Sequence, residues 1–184
     1  MTNRILYHLG NLFILASLVV FFYVFFPFVS LFVFSSQIQK TLPNNGTFIT
    51  IPKINAQAPI IENVDAVHES IYHEALKKGV AQAKGTAFPG EKGTSFLFAH
   101  SSGLPWELTR YNTIFLRLGE LEEGDEIILV RKKEKFVYKM QEKKEVWPTE
   151  VNYLLQTKKN QIILQTCTPI GTSFKRLLIF ASPA

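Results

Sequence analysis

The chain has 184 residues, 47% of them hydrophobic, and a formal net charge of +5 at neutral pH. Its single cysteine excludes an intramolecular disulfide, and the lack of internal repeats and low-complexity tracts excludes a solenoid or a disordered polymer. The first fifth is so much more apolar than the rest that it stands apart, and the remaining stretch of about 140 residues is long enough to bury a core without a metal or disulfide staple.

From Leu12 to Phe34 there are 23 consecutive residues without a charge, rich in Phe, Val and Leu. At about 1.5 Å per residue they form a helix of roughly 35 Å, enough to cross a bilayer core with some tilt. A cleavable signal has a shorter apolar stretch, about 7 to 15 residues, and then a small-x-small site. Here the run ends in Ser35-Ser36-Gln37-Ile38-Gln39-Lys40, so residues 12–34 are expected to be a retained anchor. Pro27 lies inside the run and predicts a kink rather than a break. On the short side only Arg4 and the terminal amine count toward orientation, which makes residues 1–11 cytoplasmic and the long part external. The 19 basic residues beyond the anchor do not oppose export, because long domains translocate with little regard to charge. Against 15 acidic residues they leave a formal +4, a mild balance suited to anionic envelope polymers or lipid headgroups but read here as a solvated surface with no nucleic-acid partner.

Residues 35–46, with Pro43 and Asn44-Asn45-Gly46, read as a linker, and residues 47–184 as one domain. Runs rich in β-branched and aromatic residues follow at Phe48 to Ile51, Thr94 to Ala99, Thr113 to Leu118, Glu126 to Val130, Phe136 to Gln141, Gln161 to Thr166 and Arg176 to Ala181. Turn residues punctuate them, the pattern of a small closed or sandwiched all-β domain. Arg131 to Lys135, the densest charge run, falls where a hairpin turn would expose it. Val67 to Lys78 instead has helical spacing, with Val67, Ile71, Ala75 and Leu76 as its apolar residues and Gly79 as a stop. A second short helix is expected after Pro148, where Val151, Leu154 and Leu155 repeat at three and four. Phe48, Phe88, Phe96, Phe98, Phe115, Phe136, Phe174 and Phe180 are expected to form the core.

Cys167 ends the apolar run Ile162 to Thr166, and Pro169 cannot donate to a ladder, so the thiol is expected at a strand end. Arg176 opens the next run. If the two strands pair antiparallel, sulfur and guanidinium share one edge, where a cation favours the thiolate and can also hold the oxygen of a tetrahedral intermediate. A core cysteine beside an edge arginine would give the same pattern. Acyl transfer by a thiol also needs an acid–base group. His8 falls at the membrane border. His68 and His73 lie five apart on the predicted helix, not at the i, i+4 spacing of a zinc site, and read as surface residues. His100 ends a strand-like run before Ser101-Ser102-Gly103, and is the histidine placed at a strand end. Glu120, Glu122, Glu123, Asp125 and Glu126 read as an acidic turn rather than a calcium site, so neither metal nor cofactor is expected.

The segment Leu164-Gln165-Thr166-Cys167-Thr168-Pro169-Ile170-Gly171 ending in Arg176-Leu177 resembles the sortase signature. The resemblance runs over nearly the whole domain, through Ile49-Thr50-Ile51-Pro52-Lys53-Ile54, Ala58-Pro59-Ile60, Gly85 to Gly90, Ala99-His100-Ser101 and Leu121 to Asp125. Ala99 stands where sortases more often carry Gly. The resemblance implies an eight-stranded β-barrel behind a single N-terminal transmembrane helix. It also implies a cell-membrane enzyme with an extracellular catalytic domain that cleaves secreted proteins at a C-terminal signal such as Leu-Pro-x-Thr-Gly and passes them to an amine of the envelope or of a pilin-like subunit. Cys167 would be the nucleophile, His100 the proton donor and Arg176 the oxyanion partner. The Thr-Pro-x-Gly stretch is closest to the pilin-polymerising and sporulation-type branches, but there is no Asp-Pro-aromatic lid motif and no second transmembrane run. An L,D-transpeptidase would carry Arg two residues after the cysteine, where this chain has Pro169. The other alternative is a non-catalytic membrane-tethered β-domain with a structural cysteine.

Overall fold

The structure, a computed structural model, describes residues 2–33, 46–101, 111, 113–155 and 159–184. The expected linker lies outside the described residues except for Gly46. The chain divides into two units, Met1–Ser36 and Gln37–Ala184. The first is helix α1, Thr2–Val33, which begins ahead of the apolar run and continues through Pro27. Its segment Arg4–Phe26 is long and apolar enough to cross a membrane and is exposed along its length, which fits a single-pass anchor.

The second unit is a closed barrel of eight strands. They are β1 (Phe48–Ile51), β2 (Ala56–Val64), β3 (Val80–Ala83), β4 (Thr94–Phe98), β5 (Glu126–Arg131), β6 (Glu134–Val146), β7 (Gln161–Thr168) and β8 (Lys175–Pro183). Around the barrel the order is β1-β2-β3-β4-β7-β8-β6-β5, and β5 returns to β1. Two of the pairings are parallel, β2 with β3 and β4 with β7. Helix α2 (Glu69–Leu76) makes the crossover between β2 and β3. Leu97, Leu164 and Ile179 lie side by side in the register of β4, β7 and β8, and each is fully buried in the core.

Several expectations change. Thr113 to Leu118 is not a strand. Its amides bond three residues back, Leu116 to the Thr113 carbonyl and Leu118 to that of Phe115, and a 3-10 turn follows at Leu118–Glu120. Phe115, Leu118 and Leu121 are fully buried at a spacing of three, which suits a tight coil and not a pleat. Strands β2 and β3 are additions: the first carries Pro59, and the second is Val-Ala-Gln-Ala without a β-branched run. Strand β6 runs past the apolar stretch into Glu142-Lys143-Lys144-Glu145, which pair with β8 after a register shift between Met140 and Glu142. Its backbone ladder, not side-chain burial, makes it a strand.

Helix α2 exists, but its phase differs. Val67 and Ile71 are exposed while Ala75 and Leu76 are buried and Tyr72 packs against the core, an i, i+3, i+4 set. After Pro148 the chain forms a turn closed by Glu150 on Trp147, and a 3-10 turn starts only at Asn152, so Pro148 does not open a helix. Among the phenylalanines Phe96, Phe98 and Phe115 are buried, Phe88 lies beneath the Arg131 guanidinium at 4.5 Å, and Phe174 is 69% exposed and not core.

Candidate active site

Strand β7 ends at Thr168, the residue before Pro169, so Cys167 is its penultimate residue. Across the antiparallel β7–β8 ladder Cys167 is paired with Arg176. Opposed residues send their side chains to the same face, with Cβ atoms about 4.5–5.5 Å apart. The thiol is half-buried and unbridged. Arg176 Nη1 donates to the Ser173 carbonyl at 3.0 Å and to the Lys175 carbonyl at 3.3 Å, which holds the guanidinium at the mouth of the β7–β8 turn. The turn itself is closed by Thr172, whose amide and hydroxyl both donate to the Pro169 carbonyl, at 3.0 and 2.8 Å.

The parallel pairing of β4 with β7 sets Phe98 beside Gln165. Beyond β4 the Ala99 amide donates to the Gln165 carbonyl at 3.1 Å, and Thr166 Oγ1 donates to the Ala99 carbonyl at 3.1 Å. These two bonds carry the next residue, His100, alongside the Thr166–Cys167 end of β7. The three residues expected at the site therefore arise at the same end of three neighbouring strands, from segments more than 60 residues apart for His100 and Cys167.

Aromatic contacts line the same strands. Tyr153 stacks on Phe96 at 5.8 Å and donates its hydroxyl to Gln165 Oε1 at 2.9 Å. Tyr72 of α2 meets Phe98 edge-on at 6.2 Å, and the next residue, His73, brings its ring to 5.3 Å from that of His100. Burial, then the Glu69 carboxylate, pushes the Tyr72 phenol up, against the pull of Arg176. Burial likewise raises Tyr153, again against Arg176. Both phenols thus lie within the field of that guanidinium.

His73, expected on the surface and away from the chemistry, is half-exposed yet touches His100. His68 keeps the surface role: its Nδ1 lies 2.8 Å from Asp65 Oδ2 at the start of α2. Tyr72 and Tyr153, which the sequence reading did not single out, and His73, which it assigned to the surface, are the side chains that the structure adds to the candidate site. The available signal was the Tyr72, Ala75, Leu76 phase of the helix, which turns Tyr72 inward. In the acidic turn Asp125 Oδ2 accepts the Glu122 amide at 2.8 Å and Lys53 reaches Glu122 at 3.4 Å, the bonding of a capped turn.

A family model described as Sortase domain matches residues 49–184. Sortase D of Bacillus subtilis (strain 168) is 35% identical over 136 residues, which cover 72% of this chain and 60% of that protein. The chain thus spans less than two thirds of the relative's length. The crystal structure of sortase C-1 from Actinomyces oris superposes with a TM-score of 0.63 at 26% identity, covering 75% of this chain and 73% of the other. A lid mutant of sortase A from Corynebacterium diphtheriae gives a TM-score of 0.61 at 27% identity, with 79% and 73% covered.

Proposed function

The chain belongs to the sortase family, and from that membership we propose that it is a membrane-anchored cysteine transpeptidase whose nucleophile is Cys167, proton carrier His100 and oxyanion donor Arg176. The observation that carries the reading is the cross-strand pairing of Cys167 with Arg176.

In this mechanism the Cys167 thiolate attacks the carbonyl carbon on the N-terminal side of the scissile bond, between Thr and Gly in a Leu-Pro-x-Thr-Gly-type signal. The carbonyl oxygen becomes an oxyanion, and guanidinium N–H donors of Arg176 stabilise it where the charge develops. As the tetrahedral species collapses, His100 gives its proton to the departing amine and a thioacyl enzyme remains. An amine of the envelope or of a pilin-like subunit then attacks the thioester, His100 accepts its proton, and the Cys167 thiolate leaves. Water in place of the amine would give a carboxylic acid, a thiol-protease outcome. Residues 12–34 would hold the enzyme in the cell membrane with residues 1–11 inside, and residues 47–184 would form the extracellular catalytic domain.

The test is turnover of a Leu-Pro-x-Thr-Gly-type peptide with triglycine as acceptor by the full chain in detergent. Cys167→Ala and His100→Ala are expected to abolish it, and iodoacetamide is expected to alkylate Cys167 in the folded protein. A Cys167 that resists alkylation, in a chain with no turnover, would favour a non-catalytic β-domain with a structural cysteine.

A further inference from the structure

The contact between His73 and His100 joins a helix to the segment beyond β4. Ring centroids are 5.3 Å apart and the planes are tilted by 47°. His73 is fixed by its own helix: Nε2 lies 3.2 Å from Glu69 Oε1 one turn earlier, and the ring stacks on Tyr72 at 5.1 Å and 24°. Tyr72 in turn meets Phe98 at 6.2 Å. Phe98 and His100 are two residues apart, so α2 meets this segment twice, once through Tyr72 and once through His73.

A ladder fixes the backbone of a strand, but His100 lies past the end of β4, where side-chain neighbours set the torsions of its ring. An acid–base group must present its nitrogen within hydrogen-bond reach of the proton it moves, so a ring that rotates away loses rate without losing substrate. From α2, Tyr72 meets the segment at Phe98 and His73 meets it at His100, with Glu69 behind His73.

We propose that His73 is a positioning residue whose flat ring, held by Glu69 and Tyr72, keeps the His100 imidazole in its working orientation. This rests on the reading of His100 as the proton carrier. His73 acts through His100 and does not meet the reacting atoms.

The experiment compares wild type, His100→Ala, His73→Ala and His73→Phe in the peptide–triglycine assay, with melting temperatures recorded for each. Because His73 is half-exposed, both His73 variants are expected to fold. His73→Ala is expected to lower kcat about ten- to a hundredfold with KM little changed, and His73→Phe, which keeps a flat ring on Tyr72, to recover most of that loss. The ring-current shift of the His100 C–H protons in NMR should follow the same order, lost in His73→Ala and present in His73→Phe. An unchanged kcat in His73→Ala, or a His73→Phe variant as slow as His73→Ala, overturns the proposal. Full activity in His100→Ala would instead overturn the reading on which it rests, so the two failures are separable.

Discussion

Cys167 and Arg176 are nine residues apart in the chain and directly opposed in the sheet. The six-residue turn between β7 and β8 therefore works as a jig: with the ladder it fixes where the thiol-bearing and guanidinium-bearing residues stand opposite each other, before either side chain chooses a rotamer.

The chemistry of this pair separates charge from shape. Arg176→Lys keeps the charge but loses the planar fork that gives two parallel hydrogen bonds. Both Arg176→Lys and Arg176→Ala are expected to fold and to turn over peptide about 10²- to 10³-fold more slowly, with a smaller change in KM. Steady-state kinetics on the peptide and triglycine check this, and a normal rate in Arg176→Lys would remove the bidentate role.

Gly79, between α2 and β3, shows a steric demand with no bearing on the chemistry. A Cβ at this position would lie 2.2 Å from the Pro59 carbonyl oxygen and 3.0 Å from its ring. The neighbours are backbone and a rigid ring, so the strands must separate to make room. Gly79→Ala is expected to cost about 1–3 kcal/mol, read as a lower urea midpoint with an unchanged slope.

Tyr153 is held beside β4 and β7 by a stack and a hydrogen bond. Tyr153→Phe keeps the stack on Phe96 and removes the donor to Gln165 Oε1. The expected loss is about 0.5–1.5 kcal/mol of stability, measured by denaturant unfolding. Tyr153→Ala, which also loses the stack, should cost more.

Asp65 gives the fold a pH dependence. Its carboxylate accepts the Val67 and His68 amides and the His68 ring, and these bonds lower its pKa from 3.8 to about 2. A carboxylate depressed in the folded state adds stability above its ordinary pKa, and that contribution is lost as pH falls through the folded value. The melting temperature of Asp65→Ala should therefore lie below that of wild type near neutral pH, and the gap should close as pH falls from about 4 toward 2. A gap that is constant over that window would mean that the carboxylate charge is not involved.

Much of the barrel is legible in the sequence where a strand is buried on both faces. Gln161 to Thr166 and Arg176 to Ala181 announce themselves because apolar and β-branched residues have nowhere else to go, and Phe48 to Ile51 matches β1 to the residue. The strands that escape are those made by their neighbours: β3 is Val-Ala-Gln-Ala, too short for a propensity signal, and Glu142 to Glu145 of β6 are all charged. Phe115 illustrates the opposite error, since a β-like composition yields to a three-residue burial period. At the site, the strand-end rule locates His100 and Cys167 because it concerns where a chain stops pairing. It is silent on His73, whose approach to His100 depends on how α2 crosses from β2 to β3, a relation between distant segments that no local pattern encodes.

Among the described residues the strand that carries Cys167 has a partner on each side, β4 and β8, and the barrel closes on itself. From Gln161 to Gln165 both edges of β7 are thus occupied, and an extended guest cannot join that stretch of the sheet as one more strand. Along that stretch such a guest has to be read by its side chains, against the face and the loops. For the proposed peptide substrate, affinity over that stretch would then be distributed over a few individual letters of its sequence. A single wrong letter should be felt far more strongly here than by a host that recognises any chain able to lie straight along an open edge.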